Sequence, residues 1–189
     1  MIVGFYQILG ELADVNGQKT INPRRCTLKA GILPFAFGVP ETILSNRRIA
    51  QIASQKAREL GAPVYTQLDI HIDGGIEVEF TEEQPGNPPP TLRFARGAVE
   101  WARRKNLTNL WIVAAKPHLW RCVRDLDRAI RESDARIKIH VCEEIEQYPE
   151  DEWFCADSTQ KRTQSRKNWE DRERIIKRMP FFAYKLIAS

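Results

Sequence analysis

The fold is decided by one stretch of the chain, Leu110-Trp-Ile-Val-Ala-Ala-Lys-Pro-His-Leu-Trp-Arg-Cys-Val-Arg-Asp-Leu126. It opens with an apolar run typical of a buried strand, and a Pro-containing turn then leads into an amphipathic helical pattern. A buried strand followed directly by such a helix is half of a βαβ unit, which indicates a parallel sheet. Ligands bind such sheets at the carboxyl ends of the strands, where helix N-termini also favour anions. His118 and Arg121 lie at this junction, on one face of the predicted helix.

The same order of apolar runs and helical patterns extends along most of the chain. The predicted strands are residues 30–38, 62–72, 110–115 and 136–141. We expect all four in one sheet, since each is separated from the next by a helix or a long connection. Residues 76–80 form a further extended stretch after the turn Asp73-Gly-Gly75, which predicts a hairpin with the strand before it.

Helices fill the gaps between these strands. Ser45 is the predicted N-cap of one helix, which Gly61 ends, and Thr91 is the predicted cap of the next. A last helix is predicted from about Asn168, with four apolar residues docked on the sheet, namely Ile175, Ile176, Met179 and Phe182. Alternating helices and strands predict an α/β fold with three Rossmann-like layers, in which helices cover both faces of a mostly parallel sheet.

Length and composition predict one domain over residues 1–189, because 189 residues with 42% apolar side chains suffice for a single core. Residues 1–29 form an ambiguous N-terminal extension, and residues 160–189 include a basic helix that we expect to dock on the domain. The Pro-rich loop at residues 81–90 is predicted to be mobile. No apolar run approaches the roughly 20 residues of a membrane span, so we expect a cytoplasmic protein.

The charges and cysteines narrow the chemistry. Residues 143–157, the acidic segment, hold seven acids and no base, whereas residues 161–178, the basic segment, hold eight bases and three acids. This pattern favours internal pairing or solvated faces over nucleic-acid binding, because no known reader motif accompanies the basic run. The four cysteines, Cys26, Cys122, Cys142 and Cys155, lack metal-binding spacing, which predicts free thiols.

An alternating stretch, Asp69-Ile-His-Ile-Asp73, places three potential metal ligands on one face if it is a strand. A solvated edge strand explains the same pattern, and no second histidine at helical spacing supports a metal. We therefore assign no metal site.

Three motifs carry a resemblance to a known family. Phe37-Gly38 precedes Ser45-Asn-Arg-Arg-Ile49, Thr91-Leu-Arg-Phe94 opens a predicted helix, and His118-Leu-Trp-Arg121 follows a buried strand. In this order the chain resembles the SanA and YdcF type of bacterial domain of unknown function over about residues 30–189. Arg93 and Phe94 stand where the family has Glu and Asn, and Ala114-Ala115 replace its Thr-Ser pair. The resemblance implies a Rossmann-like domain with a polar pocket for a small anionic or nucleotide-like ligand, and it supplies no mechanism.

The candidate site combines the His-x-x-Arg element with polar residues at the other predicted strand ends. Its residues are Gly38, Ser45, Asn46, Arg48, Thr91, Arg93, Lys116, His118 and Arg121. Arg48 and Arg121 would clamp an anion, and His118 would act as a catalytic acid or base because imidazole titrates near neutrality. Replacing Arg121 would leave folding nearly intact if that side chain lies at the surface.

Several functions remain open at this point. The leading hypothesis is an enzyme or binding protein for a small phosphorylated or nucleotide-like compound. The alternative is a non-enzymatic structural or protein-interaction domain that uses the basic C-terminal helix and the acidic segment, and a third is binding to a nucleic-acid backbone. The usual motifs of ATPases, dehydrogenases and serine hydrolases are missing from the sequence. The sequence identifies no cofactor and no oligomeric state.

Overall fold

The computed structural model describes residues 29–84 and 87–188. The strands are β1 (Ala30–Pro34), β2 (Val64–Thr66), β3 (Val78–Phe80), β4 (Asn109–Val113) and β5 (Lys138–Val141). The helices are α1 (Leu44–Leu60), α2 (Thr91–Arg104), α3 (Lys116–Glu132), α4 (Arg166–Arg178) and α5 (Phe181–Ala188). The strands form one sheet in the order β3-β2-β1-β4-β5, and every neighbouring pair is parallel. The predicted Rossmann-like α/β fold is confirmed, as is the presence of all four predicted strands in one sheet.

The sheet separates two apolar cores. Successive residues of a strand point to opposite faces, so Ile32 packs with the α1 side while Leu33 packs with the side of α2 and α3. Gly31 lies under Trp101 of α2, where a Cβ would come within 2.6 Å of the indole ring. The glycine therefore lets α2 approach β1 closely.

The predicted hairpin is wrong. β3 pairs parallel to β2, with Val64 opposite Val78. The chain between them therefore runs back to the end of the sheet at which β2 begins. This connection between β2 and β3 contains no helix. The predicted strand at residues 62–72 is shorter than expected, since only Val64–Thr66 form a strand. The turn at Asp73-Gly-Gly75 belongs to the connection between β2 and β3, outside the sheet, and it does not join two antiparallel strands.

The predicted helix caps are also wrong at two of three positions. Ile43 is the N-cap of α1, and Ser45 lies inside the helix, where its hydroxyl donates to the Phe37 carbonyl oxygen at 2.9 Å. Pro90 is the N-cap of α2, so Thr91 is the first helical residue. Gly61 ends α1 in the left-handed conformation, as predicted, with a φ of 58°.

The C-terminal part of the chain forms two helices and not one. Ser165 caps α4, and Pro180 separates α4 from α5. Ile176 packs with Leu92, Tyr184 and Ala188 in a third cluster against α2 and α3, so this region docks on the helical layer. Ile175 and Phe182 are 64% and 74% exposed, which corrects the expectation that both dock on the sheet.

Some remaining predictions concern regions outside the strands and helices. Cys122, Cys142 and Cys155 are free thiols, while Cys26 and nearly all of the N-terminal extension lie outside the described residues. Within residues 81–90 the described positions carry one isolated bridge, between Gln84 and Asn87, and the mobility of this loop stays a prediction. None of the helices in the described ranges is long and apolar enough to cross a membrane.

Candidate functional site

A pocket of about 550 Å³ opens beside the carboxyl ends of β1 and β4. These neighbouring strands continue into helices on opposite faces of the sheet, α1 on one face and α3 on the other. Such a change of direction leaves a crevice between the two connections, and ligands of open α/β sheets bind there. Residues 35–38 after β1 and His118 in the first turn of α3 both line the pocket. We call it the arginine pocket for the side chains described below.

The arginine pocket gathers five of the nine predicted site residues, namely Gly38, Thr91, Arg93, His118 and Arg121. Thr91 Oγ1 and His118 Nε2 are 3.2 Å apart, which joins the first turns of α2 and α3 by a hydrogen bond. Gly38 has a φ of 105°, and a Cβ there would lie 2.7 Å from Ser158 Oγ. The loop after β1 therefore depends on a glycine at this wall of the pocket.

Two of the other predicted residues support this loop from beneath. Asn46 Oδ1 accepts a hydrogen bond from the Phe37 amide at 2.9 Å, and its Nδ2 donates to the Gly38 carbonyl at 3.1 Å. Ser45 donates to the Phe37 carbonyl, as described above. Both side chains are buried in α1 and do not line the pocket. Their contacts position the backbone of the loop.

The last two predicted residues belong to another part of the surface. Arg48 pairs with Glu152 at 2.7 Å and lies over the Tyr148 ring at 4.4 Å, while Lys116 pairs with Glu146 at 2.8 Å. Neither lines the arginine pocket, so the predicted clamp of Arg48 with Arg121 is not formed.

Two arginines that sequence reasoning missed complete the pocket. Arg162 precedes α4 and Arg172 lies within it, and both line the pocket together with Arg121. Arg121 Nη1 donates to Glu173 Oε1 at 2.6 Å, and Arg172 Nη1 lies 3.2 Å from the same oxygen. Arg162 makes no ion pair within the part of the chain that the structure describes. Two guanidinium groups therefore share one carboxylate, and the third, that of Arg162, lies in the same pocket without one.

Few carboxylates lie near these arginines. No Asp or Glu is found among the described residues that line the pocket, and Glu173 lies behind Arg121. Burial and the neighbouring Arg121 lower the pKa of Arg172 to about 10, and they also lower the pKa of Arg162. Unbalanced cations in a partly enclosed space repel one another more strongly than in water. The pocket is thus electrostatically suited to an anion.

Arg121 is buried and contributes to the packing of the fold, contrary to the surface position considered above. Its side chain is 5% exposed, and its guanidinium lies over the Trp169 ring at 5.0 Å. Removing a partner from a buried ion pair leaves an uncompensated charge. The expectation that Arg121 can be replaced without cost to folding, which required a surface position, does not apply.

His118 forms the inner wall of the pocket and is 6% exposed. Burial and three cations, first Arg121 and then Arg172 and Arg162, hold the pKa of His118 well below its usual value. Its Nδ1 has no hydrogen-bond partner among the described residues. The prediction that His118 titrates near neutrality is therefore wrong for the ligand-free protein, in which the imidazole is neutral at pH 7.

The rest of the lining is aromatic and amide-rich. Phe37 and Trp169 form an edge-to-face pair with ring centroids 4.7 Å apart, and Phe94 adds a further ring to the wall. Gln67 lines the pocket after β2, and its Oε1 accepts a hydrogen bond from the Ala36 amide at 2.9 Å. Such a lining combines apolar surface with a few fixed polar groups, as small-molecule sites do.

Two carboxylates lie beyond β2 and β3, near but not in the pocket lining. Asp69 is 6% exposed, and its Oδ2 has no hydrogen-bond partner among the described residues. Glu83 accepts a hydrogen bond from the Leu68 amide, and burial, with a contribution from Asp69, raises the pKa of Glu83 to about 7. No group of three metal-ligand side chains occurs in the described ranges. The proposed strand at 69–73 is not formed, and Asp73 pairs with Arg58.

The acidic segment is paired mainly with helices α1 and α3. Its partners there are Lys56 for Glu144, Lys116 for Glu146 and Arg48 for Glu152. Arg166 is the residue of the basic segment that reaches it, and it contacts Glu150 at 3.3 Å and Asp151 at 2.6 Å. Internal pairing therefore accounts for much of the charge pattern.

Comparison with known proteins adds no family to this description. No protein-family model matches the chain, and no curated protein matches it either. The resemblance to the SanA and YdcF type of domain stays a prediction.

Proposed function

We propose that the protein binds a small phosphorylated compound of about mononucleotide size in the arginine pocket. The observation that carries this proposal is the convergence of Arg121, Arg162 and Arg172 on one pocket with Glu173 as their only ion-pair partner within the described ranges. A phosphate group would supply the negative charge that the pocket lacks.

The chemistry of the arginine side chain favours a ligand with a phosphate group over an uncharged ligand. Guanidinium groups match phosphate oxygens with paired, charge-assisted hydrogen bonds, which are stronger than neutral ones. The N-terminal ends of α2 and α3, marked by Thr91 and His118, meet at the same pocket. Helix N-termini add further positive potential and orient backbone amides toward anions.

The size and walls of the pocket support a ligand larger than phosphate alone. A volume of about 550 Å³ lies within the range of small-molecule sites, and inorganic phosphate would fill a small part of it. The rings of Phe37, Phe94 and Trp169 belong to the wall of the pocket with at most 3% of each residue exposed, so they would contact an organic group only at their edges, and Gln67 adds a polar wall residue.

His118 contributes as a neutral hydrogen-bonding group in this proposal. A buried polar atom without a partner, such as its Nδ1, is costly unless a ligand or another group satisfies it. Catalysis by His118 as an acid or base remains a hypothesis, and it requires that a bound anion first raises the imidazole pKa. The proposal therefore covers ligand binding and assigns neither a reaction nor a cofactor.

The alternative functions receive less support. The acidic segment is already paired with Arg48, Lys56 and Lys116, which leaves fewer free carboxylates for a partner protein. The four arginines that line the pocket, Arg93, Arg121, Arg162 and Arg172, lie in a crevice and not on an open surface, whereas nucleic-acid backbones are bound along exposed basic tracks.

The test is titration calorimetry with inorganic pyrophosphate as the probe, using Arg162→Gln. Because Arg162 has no ion pair in the described part of the chain, this variant should fold like wild type while binding the probe roughly ten- to a hundredfold more weakly. Lys161→Gln is the matched control, since it removes the adjacent exposed cation outside the pocket lining.

Two outcomes would contradict the proposal. One is a wild-type protein that binds neither pyrophosphate nor a nucleoside monophosphate. The other is an equal loss of affinity in Arg162→Gln and Lys161→Gln, which would indicate a general effect of surface charge.

A further inference from the structure

Exposed apolar side chains are concentrated at the C-terminal end of the described chain. Within the described residues, six large apolar side chains are exposed, and four of them lie between positions 175 and 187. They are Ile175, Phe182, Leu186 and Ile187. Contiguous exposed apolar surface on a protein commonly marks an interaction site.

The fold fixes α5 with these side chains outward. Tyr184 and Ala188 lie one turn apart and are buried, and the Tyr184 hydroxyl donates to the fully buried carboxylate of Asp125 in α3. Phe182 and Leu186 lie one turn apart on the opposite side of the helix, where they are 74% and 84% exposed. Packing therefore holds one face of α5 against α2 and α3, and the other face is exposed within the part of the chain that the structure describes.

The charged residues in and just before α5 all have one sign. Residues 174–188 contain Arg174, Lys177, Arg178 and Lys185 and no acid. Arg178 and Lys185 are exposed and form no ion pair in the described ranges. We call the group of Phe182, Leu186, Lys185 and Arg178 the α5 surface.

We propose that the α5 surface binds the headgroup region of an anionic lipid bilayer. A short helix with exposed Phe and Leu side chains beside Lys and Arg is typical of segments that lie in the membrane interface. Anionic lipids attract such cations, and the apolar side chains enter the boundary of the acyl chains. This mode of binding needs no membrane-spanning helix, and it does not depend on a ligand in the arginine pocket.

The charge also distinguishes a lipid surface from a second copy of the chain. In a symmetric dimer through this face, the Arg178 and Lys185 side chains of one copy would approach those of the other. Like charges placed together across an interface oppose association. An anionic bilayer instead complements every charge on the α5 surface.

The test is co-sedimentation of the full chain with two kinds of vesicle, one of phosphatidylcholine alone and one that also contains phosphatidylserine. We expect sedimentation with the phosphatidylserine vesicles and a decrease as salt is added. The double variant Phe182→Ser, Leu186→Ser should lower partitioning by at least about tenfold, because both exposed side chains would become buried in the bilayer on binding. Lys185→Glu should lower binding to phosphatidylserine vesicles selectively.

Leu44→Ser is the matched control, since Leu44 is 52% exposed but lies at the start of α1. It should sediment like wild type, and thermal melts should show that all variants are folded. Sedimentation that is absent, equal for both vesicle types or unchanged in the double variant would overturn the proposal. So would a concentration-dependent dimer in ultracentrifugation that the double variant abolishes, because the surface would then bind a second copy.

Discussion

Cationic side chains occupy two regions of the molecule that differ in the number of carboxylates beside them. Next to the acidic segment, Arg48, Lys56 and Lys116 each pair with a glutamate of their own. In the arginine pocket, Arg121 and Arg172 share Glu173, while Arg162 has no ion pair in the described chain. Ion pairs of the first kind can stabilise the fold without any ligand. The second arrangement leaves positive charge that a bound phosphate would balance in the proposed function.

Removing the shared carboxylate should have the largest effect. Glu173→Gln leaves the buried Arg121 without its anionic partner, so we expect the free energy of unfolding to fall by about 3–5 kcal/mol. Urea denaturation measures this change. Sulfate in the buffer should restore part of the loss, because an anion that binds the folded pocket stabilises it.

Glu170→Gln is the control for this variant, since Glu170 is exposed on the same helix and pairs only loosely with Arg166 at 3.6 Å. It should cost less than about 1 kcal/mol. Equal losses in both variants would remove the distinction between the shared carboxylate and ordinary surface pairs.

Glu83 provides the opposite case, a carboxylate held in the folded protein without a cation in contact. The folded-state pKa of Glu83 is about 7, above the usual value near 4.5. Its contribution to stability is therefore full below pH 4.5 and is lost as the pH rises through about 7. Glu83→Gln should stabilise the protein by up to about 3 kcal/mol at alkaline pH and have little effect at acidic pH.

Urea denaturation across this pH range checks the Glu83 prediction. Glu82→Gln is the control, because Glu82 is exposed and adjacent in sequence. A pH-independent stabilisation, or the same pH dependence in both variants, would show that burial of Glu83 is not the cause.

The smallest change in stability is expected beside the acidic segment, where each cation has its own glutamate. Arg48→Gln removes a pair whose partner, Glu152, is 49% exposed, so we expect a loss of about 1 kcal/mol or less. Its affinity for pyrophosphate should equal that of wild type, because Arg48 does not line the pocket. If calorimetry shows that Arg48→Gln weakens binding as much as Arg162→Gln does, the two regions do not differ in the proposed way.

The local pattern of the sequence was sufficient to predict the sheet. The apolar runs at β1, β4 and β5 and the helical spacing of α2 and α3 specify the layers, since each pattern records which faces are buried. The direction of β3 was not predictable in this way. A short alternating stretch after a Gly-Gly turn has the same pattern in a hairpin and in a parallel return.

The sequence predicted those site residues that lie close to the end of a strand or the start of a helix. His118 and Arg121 lie directly after β4, so their position at the strand end follows from the strand-to-helix junction. Arg162 and Arg172 reach the pocket because α4 folds back onto the domain, and one basic run does not reveal which of its members turn inward. Arg48 was predicted to bind an anion, but Glu152, far along the chain, is its partner.

Helix α5 belongs to two surfaces at once. Ile187 and Ala188 line the arginine pocket, while Leu186 between Lys185 and Ile187 points outward. A shift of this helix at one surface would therefore change the geometry of the other. Thermodynamic linkage requires such coupling to be reciprocal: if vesicles alter the affinity for pyrophosphate by some factor, pyrophosphate alters the affinity for vesicles by the same factor. The final turn of the described chain would then act as an allosteric element.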